Sequence, residues 1–598
     1  MYTYDKPDNL VEMIEESIDR YAERPLFGTP DPNGVYTWTT YGEVGRRIDD
    51  LRAGLAQLGI QSGDCVGIIA NNRVEWAVAA FATYGLGGRF IPMYEKELAK
   101  TWEFIINDSG IKALFAANDT ICHQVEQFRS RTPNLEHLLV IDGDATDNMA
   151  QLEAKGRQQP VASVRPKPDD IALLIYTSGT TGNPKGVLLS HGNFTSNFIS
   201  GGNLFPEIDA ESRSLSILPW AHAYGFTAEL NNFTYRGASI GFMRDVTTIA
   251  EDMANVAPTF LIAVPRVFNK IYDGLQAKIN EAGGLAKKLF VMGLESAEQN
   301  RRLAEQGKTA WLPRMKYKLA DRIVYSKIRA KFGGRLKGAM TASAMMNPVT
   351  SQFFADIGMP VFDAYGLTET SPAVTINNRE FYKRGSVGRP LDKVRVVIDK
   401  SVTEDDCEEG EIVVYGPNVM HGYFNNPEAT REVMTEDGGF RSGDLGLLDE
   451  EGYLYITGRI KEQYKLENGK YVFPATIEEE IQLCPWVENV LVFGESRACN
   501  VCLIVPDFEA LKTWAQKHGH DPTPSALIRN PVANEMIGSA IQKQLKGKFG
   551  GYEIPKSVVL VAEGFSVENG MLTQTLKLKR RKVIEHYSDK IEEAYTTV

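Results

Sequence analysis

The 598-residue sequence has few cysteines, no long apolar run and no excess of positive charge. Its six cysteines lack the spacing of a disulfide framework, which is typical of a reducing compartment. Cys499 and Cys502 form a Cys-x-x-Cys, but a strand-like apolar run follows and no second pair exists, so strand residues are favoured over a metal or redox site. No apolar run is long enough to span a bilayer, and we expect no signal peptide. We therefore expect a cytoplasmic protein.

The formal net charge is −12, which argues against nucleic acid as a partner. It also predicts that any anionic substrate is held by local lysines rather than by the field of the whole protein. The length exceeds what one hydrophobic core accommodates, so two or more domains are expected.

Short apolar runs alternate with helical patterns in the first part of the chain. Apolar residues over 41–58 recur at alternating steps of four and three, which predicts an amphipathic helix. Strand and helix alternate in the same way through residues 65–141. This alternation predicts a mostly parallel, layered α/β sheet.

A loop rich in glycine and hydroxyl side chains joins two of the predicted strands. Residues 176–186 read Tyr-Thr-Ser-Gly-Thr-Thr-Gly-Asn-Pro-Lys-Gly. The glycines let backbone N–H groups converge on an anion, the hydroxyls add donors and the lysine adds positive charge. A proline precedes the lysine, unlike the common P-loop pattern. A polyphosphate site is favoured over a flexible surface loop, and its predicted contacts are Thr177, Ser178, Gly179, Thr180, Thr181, Gly182 and Lys185.

A second motif follows a predicted strand and reads Asp-Ala-Tyr-Gly-Leu-Thr-Glu over 363–369. An aromatic ring beside a glycine turn stacks on a base. A threonine and a glutamate near phosphates suit Mg²⁺, which prefers one or two carboxylates plus substrate phosphates. Farther on, Asp444 lies in a glycine turn suited to two ribose hydroxyls. Taken alone, 363–369 is also compatible with a simple strand-to-turn segment.

These motifs resemble, in kind and in order, the signatures of the adenylate-forming superfamily, which includes acyl-CoA synthetases, luciferases and peptide-synthetase adenylation domains. The resemblance covers nearly the whole chain. The run 572–580, Leu-Thr-Gln-Thr-Leu-Lys-Leu-Lys-Arg, looks like the carboxy-terminal motif of the long-chain acyl-CoA synthetases. The resemblance implies a large N-terminal domain, 1–459, of layered αβαβα sheets, and a small, mobile α+β C-terminal domain, 460–598, with a hinge at Lys461.

The resemblance also implies roles for individual residues. Lys577 would bridge the substrate carboxylate and the α-phosphate, and Glu369 with Thr177 would hold Mg²⁺. His222 would lie at the mouth of the acyl tunnel, although a capped structural histidine is the alternative for it taken alone. Gly469 and Tyr471 would serve the CoA step. The remaining implied ATP contacts are Ser343, Ala344, Asp363, Ala364, Tyr365, Gly366, Thr368, Asp444, Ile456, Arg459 and Lys465.

One stretch departs from the superfamily pattern. Where relatives have Gly-Gly-Ala/Ser-Pro, this chain has Thr-Ala-Ser-Ala-Met over 341–345. The residues stay small, but each added Cβ takes room near the α-phosphate and the acyl tunnel. The acyl-chain preference therefore stays open.

Residues 285–337 are rich in lysine and arginine, with apolar residues interleaved. Such a basic amphipathic segment either rests on an anionic membrane surface or forms a solvated helical pair over the core. Both interpretations stay open, as does peripheral contact with the inner face of a membrane.

Together these features predict an AMP-forming acyl-CoA synthetase that converts ATP, a fatty acid and CoA into acyl-CoA, AMP and pyrophosphate through an acyl-AMP intermediate. The alternatives are an adenylating enzyme with a non-CoA acceptor, a ligase for a non-fatty carboxylic acid, and a non-catalytic acyl-binding or transport protein. A homodimer stays open.

Overall fold

The computed structural model describes residues 6–143, 147–177, 184–344, 346–402, 408–460, 462–566, 568–573 and 578–596. The chain forms two compact units. The larger comprises Met1–Val397, Val413–Arg441 and Asp449–Leu454, and the smaller comprises Ile398–Ile412, Ser442–Leu448 and Tyr455–Val598. The predicted α/β class, with a large N-terminal and a smaller C-terminal part, is confirmed. The boundary between residues 459 and 460 stays a prediction.

The helices of the larger unit are α1 (Leu10–Tyr21), α2 (Tyr41–Gln57), α3 (Val74–Gly85), α4 (Ala99–Ser109), α5 (Asp119–Glu126), α6 (Met149–Gly156), α7 (His191–Asn203), α8 (Asn232–Tyr235), α9 (Ile249–Val256), α10 (Pro265–Ala282), α11 (Gly284–Glu305), α12 (Trp311–Ala320), α13 (Ser326–Ala330), α14 (Pro348–Asp356) and α15 (Pro427–Val433). Two π-helical turns, Gly225–Asn231 and Asp321–Tyr325, lead into α8 and α13.

The strands of the larger unit are β1 (Pro25–Pro30), β2 (Tyr36–Thr40), β3 (Cys65–Ile69), β4 (Arg89–Met93), β5 (Ile111–Asn118), β6 (His137–Asp142), β7 (Ile171–Thr177), β8 (Lys185–Ser190), β9 (Arg213–Ser216), β10 (Ser239–Phe242), β11 (Phe260–Ala263), β12 (Gly338–Thr341), β13 (Val361–Gly366), β14 (Ala373–Ile376) and β15 (Arg389–Pro390). The chain then passes repeatedly between the units through β16 (Arg395–Asp399), β17 (Gly410–Tyr415), β18 (Phe440–Leu448) and β19 (Leu454–Arg459).

A six-stranded sheet in the order β6-β5-β3-β4-β7-β8 carries the predicted phosphate loop. Its strands are parallel up to β7, and β8 is antiparallel to β7, with Thr177 opposite Lys185. Strand β3 is buried along its whole length, as expected of a parallel strand covered on both faces. Helix α7 follows β8 directly, and the Ser190 side chain caps it by accepting a hydrogen bond from Asn193 N–H.

A second sheet in the order β11-β12-β13-β14-β15 carries the motif 363–369. Strands β11, β12 and β13 are parallel, whereas β14 and β15 add antiparallel pairs. The register places Thr341 of β12 opposite Asp363 of β13. The carboxyl ends of these two strands therefore lie side by side, where ligands of parallel sheets commonly bind.

The smaller unit has its own core around the sheet β22 (Val487–Phe493), β23 (Val501–Pro506) and β24 (Ser557–Leu560). A two-stranded ribbon precedes this sheet, formed by β20 (Tyr464–Lys465) and β21 (Tyr471–Val472). Its helices are α16 (Pro474–Ile481), α17 (Phe508–His518), α18 (Pro524–Leu527), α19 (Pro531–Leu545), α20 (Arg580–His586) and α21 (Ser588–Thr596). Within the described ranges of both units, no helix is both long enough and apolar enough to cross a bilayer.

Candidate functional site

Strand β8 is hydrogen-bonded along both edges next to the phosphate loop. Strand β7 occupies one edge. On the other edge, Leu188 N–H donates to the Gly422 carbonyl at 2.9 Å and Phe424 N–H donates to the Gly186 carbonyl at 2.7 Å. The segment 420–424 thus acts as a further short strand and places Tyr423 beside Val187.

Tyr423 connects two of the predicted site residues. Its hydroxyl donates to Glu369 Oε1 at 2.8 Å. Burial and the Glu369 carboxylate raise the pKa of Tyr423 well above its usual range, so the hydroxyl stays protonated. Lys185 Nζ lies 5.0 Å from the centroid of the Tyr423 ring, within cation–π range. The structure therefore brings Lys185 to the ring and Glu369 to the hydroxyl of one tyrosine.

Side-chain hydrogen bonds from two asparagines hold the turn that carries Glu369 in place. Asn197 and Asn418 each donate their side-chain N–H groups to the carbonyls of Thr370 and Ala373. A Cβ on Gly366 would lie 1.8 Å from the Pro372 carbonyl oxygen, so this turn requires glycine there. The predicted ATP contacts Ala364, Tyr365, Gly366 and Thr368 lie on the end of β13 and in this turn.

Asp363 is buried on β13, and Met346 N–H donates to its Oδ1 at 3.3 Å. Burial raises the pKa of Asp363 to about 7. The carboxyl group therefore exchanges its proton near neutral pH. It can both donate and accept hydrogen bonds when protonated.

The departure at 341–345 places a residue with a side chain in a strained backbone conformation. Ser343 has φ +79°, in the left-handed region that favours glycine. A glycine at this position would adopt the same conformation without strain. Ser343 is half-buried and Ala344 is exposed, and both follow β12 where it pairs with β13. Met345 lies outside the described residues.

His222 lies on a loop that is anchored to a buried carboxyl group. Its Nδ1 accepts a hydrogen bond from Tyr224 N–H at 3.2 Å, which leaves the proton of the neutral ring on Nε2. Three residues hold Glu229 in the core, since Ser214, Ser216 and Trp220 donate to it at 2.6, 2.5 and 3.0 Å. Burial raises the pKa of Glu229.

Asn72 closes the same network. Its side chain accepts from Trp220 N–H at 2.7 Å and donates to the Leu218 carbonyl at 2.7 Å. The loop before His222 is therefore fixed by hydrogen bonds to the Asn72 amide and the Glu229 carboxyl group. The sequence did not predict either anchor, because neither Asn72 nor Glu229 belongs to a recognised motif.

The other predicted contacts belong to the smaller unit. Arg459 Nε donates to Asp444 Oδ1 at 2.7 Å, with Asp444 buried and Arg459 partly exposed. In the ribbon, Lys465 Nζ lies 4.3 Å from the Tyr471 ring centroid. Gly469, at the turn of this ribbon, has φ +81° and open space where a Cβ would point. Ile456 is half-buried on β19.

Seven predicted residues lie outside the described part of the chain: Ser178, Gly179, Thr180, Thr181, Gly182, Lys461 and Lys577. The segment before Lys577 and the segment after it are both anchored. Leu572 and Leu578 form a β-bridge, and Arg580 donates to both carboxylate oxygens of the buried Glu478 at 2.6 and 2.7 Å.

Glu369 suits a Mg²⁺ ion that binds together with the phosphates of a nucleotide. Among the described residues, no group of three or more His, Cys, Asp or Glu side chains is arranged to hold a metal ion. Mg²⁺ commonly takes one or two carboxylates and completes its shell with substrate phosphates and water. One carboxylate, that of Glu369, beside the predicted phosphate loop fits that donor set.

The family comparisons identify the class of protein to which this fold belongs. Residues 14–424 match the family described as AMP-binding enzyme, and residues 461–598 match the AMP-binding enzyme C-terminal domain. The chain belongs to the AMP-binding enzyme family, and the predicted membership of the adenylate-forming superfamily is confirmed.

Curated relatives match almost the whole chain. The chain is 31% identical to the peroxisomal long chain acyl-CoA synthetase 7 of Arabidopsis thaliana, over 99% of this chain and 86% of the relative. It is 32% identical to the long-chain-fatty-acid–CoA ligase FadD15 of Mycobacterium bovis, over 94% of this chain and 93% of the relative.

Solved structures show the same fold at lower identity. The adenylation domain of a carboxylate reductase from Mycobacterium chelonae matches with a TM-score of 0.78 at 23% identity, over 98% of this chain and 91% of that chain. ATP-bound MatB from Rhodopseudomonas palustris matches with a TM-score of 0.71 at 23% identity, over 98% of this chain and 100% of that chain.

Asp363 gives a testable pH dependence. A carboxyl group whose pKa is higher in the folded than in the unfolded state binds its proton more tightly when folded, so the free energy of unfolding falls as pH rises from about 4 to about 7. We compare the free energy of unfolding of Asp363→Asn with that of the unsubstituted protein. As the pH rises from about 5 to about 8, we expect this difference to change by about 2–3 kcal/mol in favour of the variant. Urea unfolding at both pH values measures this difference. The exposed Asp19→Asn is the control, and an equal difference for both variants would contradict the assignment.

Proposed function

We propose that this protein is an AMP-forming acyl-CoA synthetase that activates long-chain fatty acids. One observation carries the substrate class: the curated relatives that match nearly the whole chain are named long-chain acyl-CoA synthetases or long-chain-fatty-acid–CoA ligases. The contacts of Lys185, Tyr423 and Glu369 support the nucleotide chemistry.

The first half-reaction makes the carboxylate a better acyl donor. A free carboxylate is a poor donor because its leaving group would be oxide or hydroxide. Attack of a carboxylate oxygen on the ATP α-phosphorus forms acyl-AMP and releases pyrophosphate. The two anions repel, so the site must supply positive charge where the new bond forms. We assign Lys577 to bridge the carboxylate and the α-phosphate, and residues 177–185 to the β- and γ-phosphates.

Mg²⁺ would be held by Glu369 and Thr177 and would offset the charge of the phosphates. The Tyr423 hydroxyl orients the Glu369 carboxylate through Oε1, which leaves the second carboxylate oxygen for the metal. The firmly held turn 366–373 keeps that carboxylate in place before the nucleotide arrives, so little ordering is required on binding.

We assign the adenosine contacts to two groups of residues. Tyr365 stacks on the adenine, with Ser343, Ala344, Asp363, Ala364, Gly366 and Thr368 around it. Asp444 and Arg459 bind the ribose, with Ile456 and Lys465 in further contact with the nucleotide. A carboxyl group with a pKa near 7, as at Asp363, offers adenine both a donor and an acceptor when it is protonated.

The second half-reaction transfers the acyl group to CoA. We propose that the domain 460–598 rotates about Lys461, withdraws Lys577 and brings Gly469 and Tyr471 to the acyl-AMP. The thiolate then attacks the acyl carbon and AMP leaves. His222, whose Nδ1 accepts a hydrogen bond from Tyr224 N–H, is assigned to the mouth of the acyl tunnel. A cytoplasmic location is part of this proposal.

Pyrophosphate release tests the function directly. We expect ATP-dependent release with saturated fatty acids, strongest for long chains, and formation of the thioester only when CoA is present. A series of acids of graded length, with aromatic and branched acids as controls, measures the preference. Pyrophosphate release without any CoA thioester would favour another acyl acceptor, and no release with any acid would favour a non-catalytic protein.

Two substitutions should separate the half-reactions. We expect Lys577→Ala to lower acyl-AMP formation at least about a hundredfold while largely sparing thioester formation from supplied acyl-AMP. We expect Gly469→Leu to do the reverse, because a side chain would fill the open space at this turn. Each variant is the control for the other. Equal loss of both half-reactions in either variant would overturn its assigned role.

Tyr423→Phe tests the positioning of Glu369. The change removes the hydroxyl donor but keeps the ring next to Lys185. A hydrogen bond to a charged group contributes about 1.5–3 kcal/mol, so we expect binding of Mg²⁺-ATP to weaken about tenfold or more. Calorimetric binding with and without Mg²⁺, together with a Mg²⁺ titration of pyrophosphate release, measures the effect. Tyr415→Phe is the matched control, since its hydroxyl donates to Asp437 at 3.1 Å on the surface. An unchanged Mg²⁺ dependence would contradict the assignment.

A further inference from the structure

Helix α12 turns an apolar face to solvent. Trp311 is 70% exposed, Met315 is 59% exposed and Leu319 is 47% exposed. Ile323, in the π-helical turn that follows, is also exposed. These four residues are spaced by four, so they lie along one side of the helix. We call them the α12 face.

The opposite side of α12 is packed, so the exposure does not result from a loosely held helix. Ala320 and Tyr325 are fully buried. The Tyr325 hydroxyl donates to the Phe290 carbonyl of α11 at 2.9 Å, and the Tyr317 hydroxyl donates to the Asp356 carbonyl at 2.8 Å. A Cβ on Gly293 would lie 2.3 Å from the Tyr325 hydroxyl, so α11 approaches closely there. The packing fixes which side of α12 meets solvent.

Basic side chains border the α12 face. At 3.6 residues per turn, Arg314 and Lys318 lie along one border and Lys316 along the other. All three are exposed, and none forms an ion pair with a residue in the described ranges. Arginines of the neighbouring helices differ, since Arg301 of α11 pairs with Asp356 and Arg329 of α13 pairs with Asp321.

The surrounding segment is strongly basic in an acidic protein. Residues 285–337 contain fourteen Lys and Arg against four Asp and Glu, whereas the whole chain has a net charge of −12. Positive charge beside exposed Trp, Met and Leu is the pattern of a helix that lies in the interface of an anionic bilayer, with lysine and arginine reaching the headgroups.

We propose that the α12 face, together with Arg314, Lys316 and Lys318, docks on an anionic lipid bilayer, with the helix lying in the plane of the interface. A second copy of this chain is a poorer occupant. A symmetric contact through this face would bring the basic borders of both copies together, and like charges repel at short range. The proposal concerns a surface outside the nucleotide site and does not depend on the acyl substrate.

Vesicle sedimentation tests the proposal with the full-length protein. We expect binding to phosphatidylcholine vesicles that contain about one third phosphatidylglycerol, and much weaker binding to phosphatidylcholine alone at about 0.1 M salt. Met315→Glu/Leu319→Glu should lower the partition coefficient at least about tenfold. Arg314→Gln/Lys316→Gln/Lys318→Gln should lower it about a hundredfold.

Matched controls separate this surface from general charge effects. Val246→Glu/Val349→Glu adds the same two charges at positions that are 64% and 63% exposed on the same unit. Lys100→Gln/Lys155→Gln/Lys167→Gln removes three exposed lysines elsewhere. Both controls should bind vesicles as the unsubstituted protein does. Equal loss in a control and in its α12 counterpart would overturn the proposal.

The fluorescence of Trp311 tests independently whether the α12 face contacts the bilayer. Lipids brominated along the acyl chain should quench part of the tryptophan emission, and Trp311→Phe should lose that quenching while it still sediments with vesicles. Quenching that persists in Trp311→Phe would overturn the docking face. Two other results would also overturn the proposal: binding to an acidic polypeptide such as polyglutamate but not to vesicles, or self-association that Met315→Glu/Leu319→Glu abolishes without vesicle binding.

Discussion

The geometry of the candidate nucleotide site depends on the backbone hydrogen bonds along both edges of β8. Strand β7 fixes one edge and the segment 420–424 fixes the other. A hairpin with a free edge would leave unpaired backbone groups. The second edge also aligns Tyr423 with Glu369, and Met420 N–H donates to the Glu369 carbonyl at 2.9 Å. Main-chain pairing thus joins the phosphate loop to the predicted metal carboxylate.

Buried polar groups also hold the loop that leads to His222. Glu229 accepts three side-chain hydrogen bonds in the core and holds the loop that leads to His222. Each donor is neutral, and burial raises the pKa of the carboxyl group. A buried polar network stabilises one conformation only when each member is satisfied. The cost of burying Glu229 is therefore offset by a loop whose position is well defined.

Local sequence patterns predicted the elements that bear the motifs. The amphipathic repeat over 41–58 appears as α2 (Tyr41–Gln57), and the apolar runs flanking the phosphate loop appear as β7 and β8. These patterns are informative because a segment with a periodic apolar face and polar ends is compatible with few secondary structures. Their exact ends were harder to predict, since β7 continues to Thr177 through residues that the sequence presents as loop.

The contacts that organise the site could not be predicted in the same way. Tyr423 and Glu369 are 54 residues apart in the sequence. They meet because the segment 420–424, which carries Tyr423, pairs with β8. Glu229 meets Trp220 through a π-helical turn that no local pattern indicates. Likewise, the spacing of α12 shows an apolar stripe, but only packing against α11 decides that this stripe faces solvent.

The acidic net charge and the anionic substrates are compatible because charge acts locally in salt. At physiological ionic strength the Debye length is about 8 Å. Salt therefore largely screens the predicted phosphate loop from the negative charge of carboxylates elsewhere on the surface. A single lysine such as Lys185, placed at the loop and partly shielded by the Tyr423 ring, acts over a few ångströms. The same reasoning applies to the basic borders of the α12 face. An acidic protein therefore attracts anions at separate places, provided that each place concentrates its own positive charge.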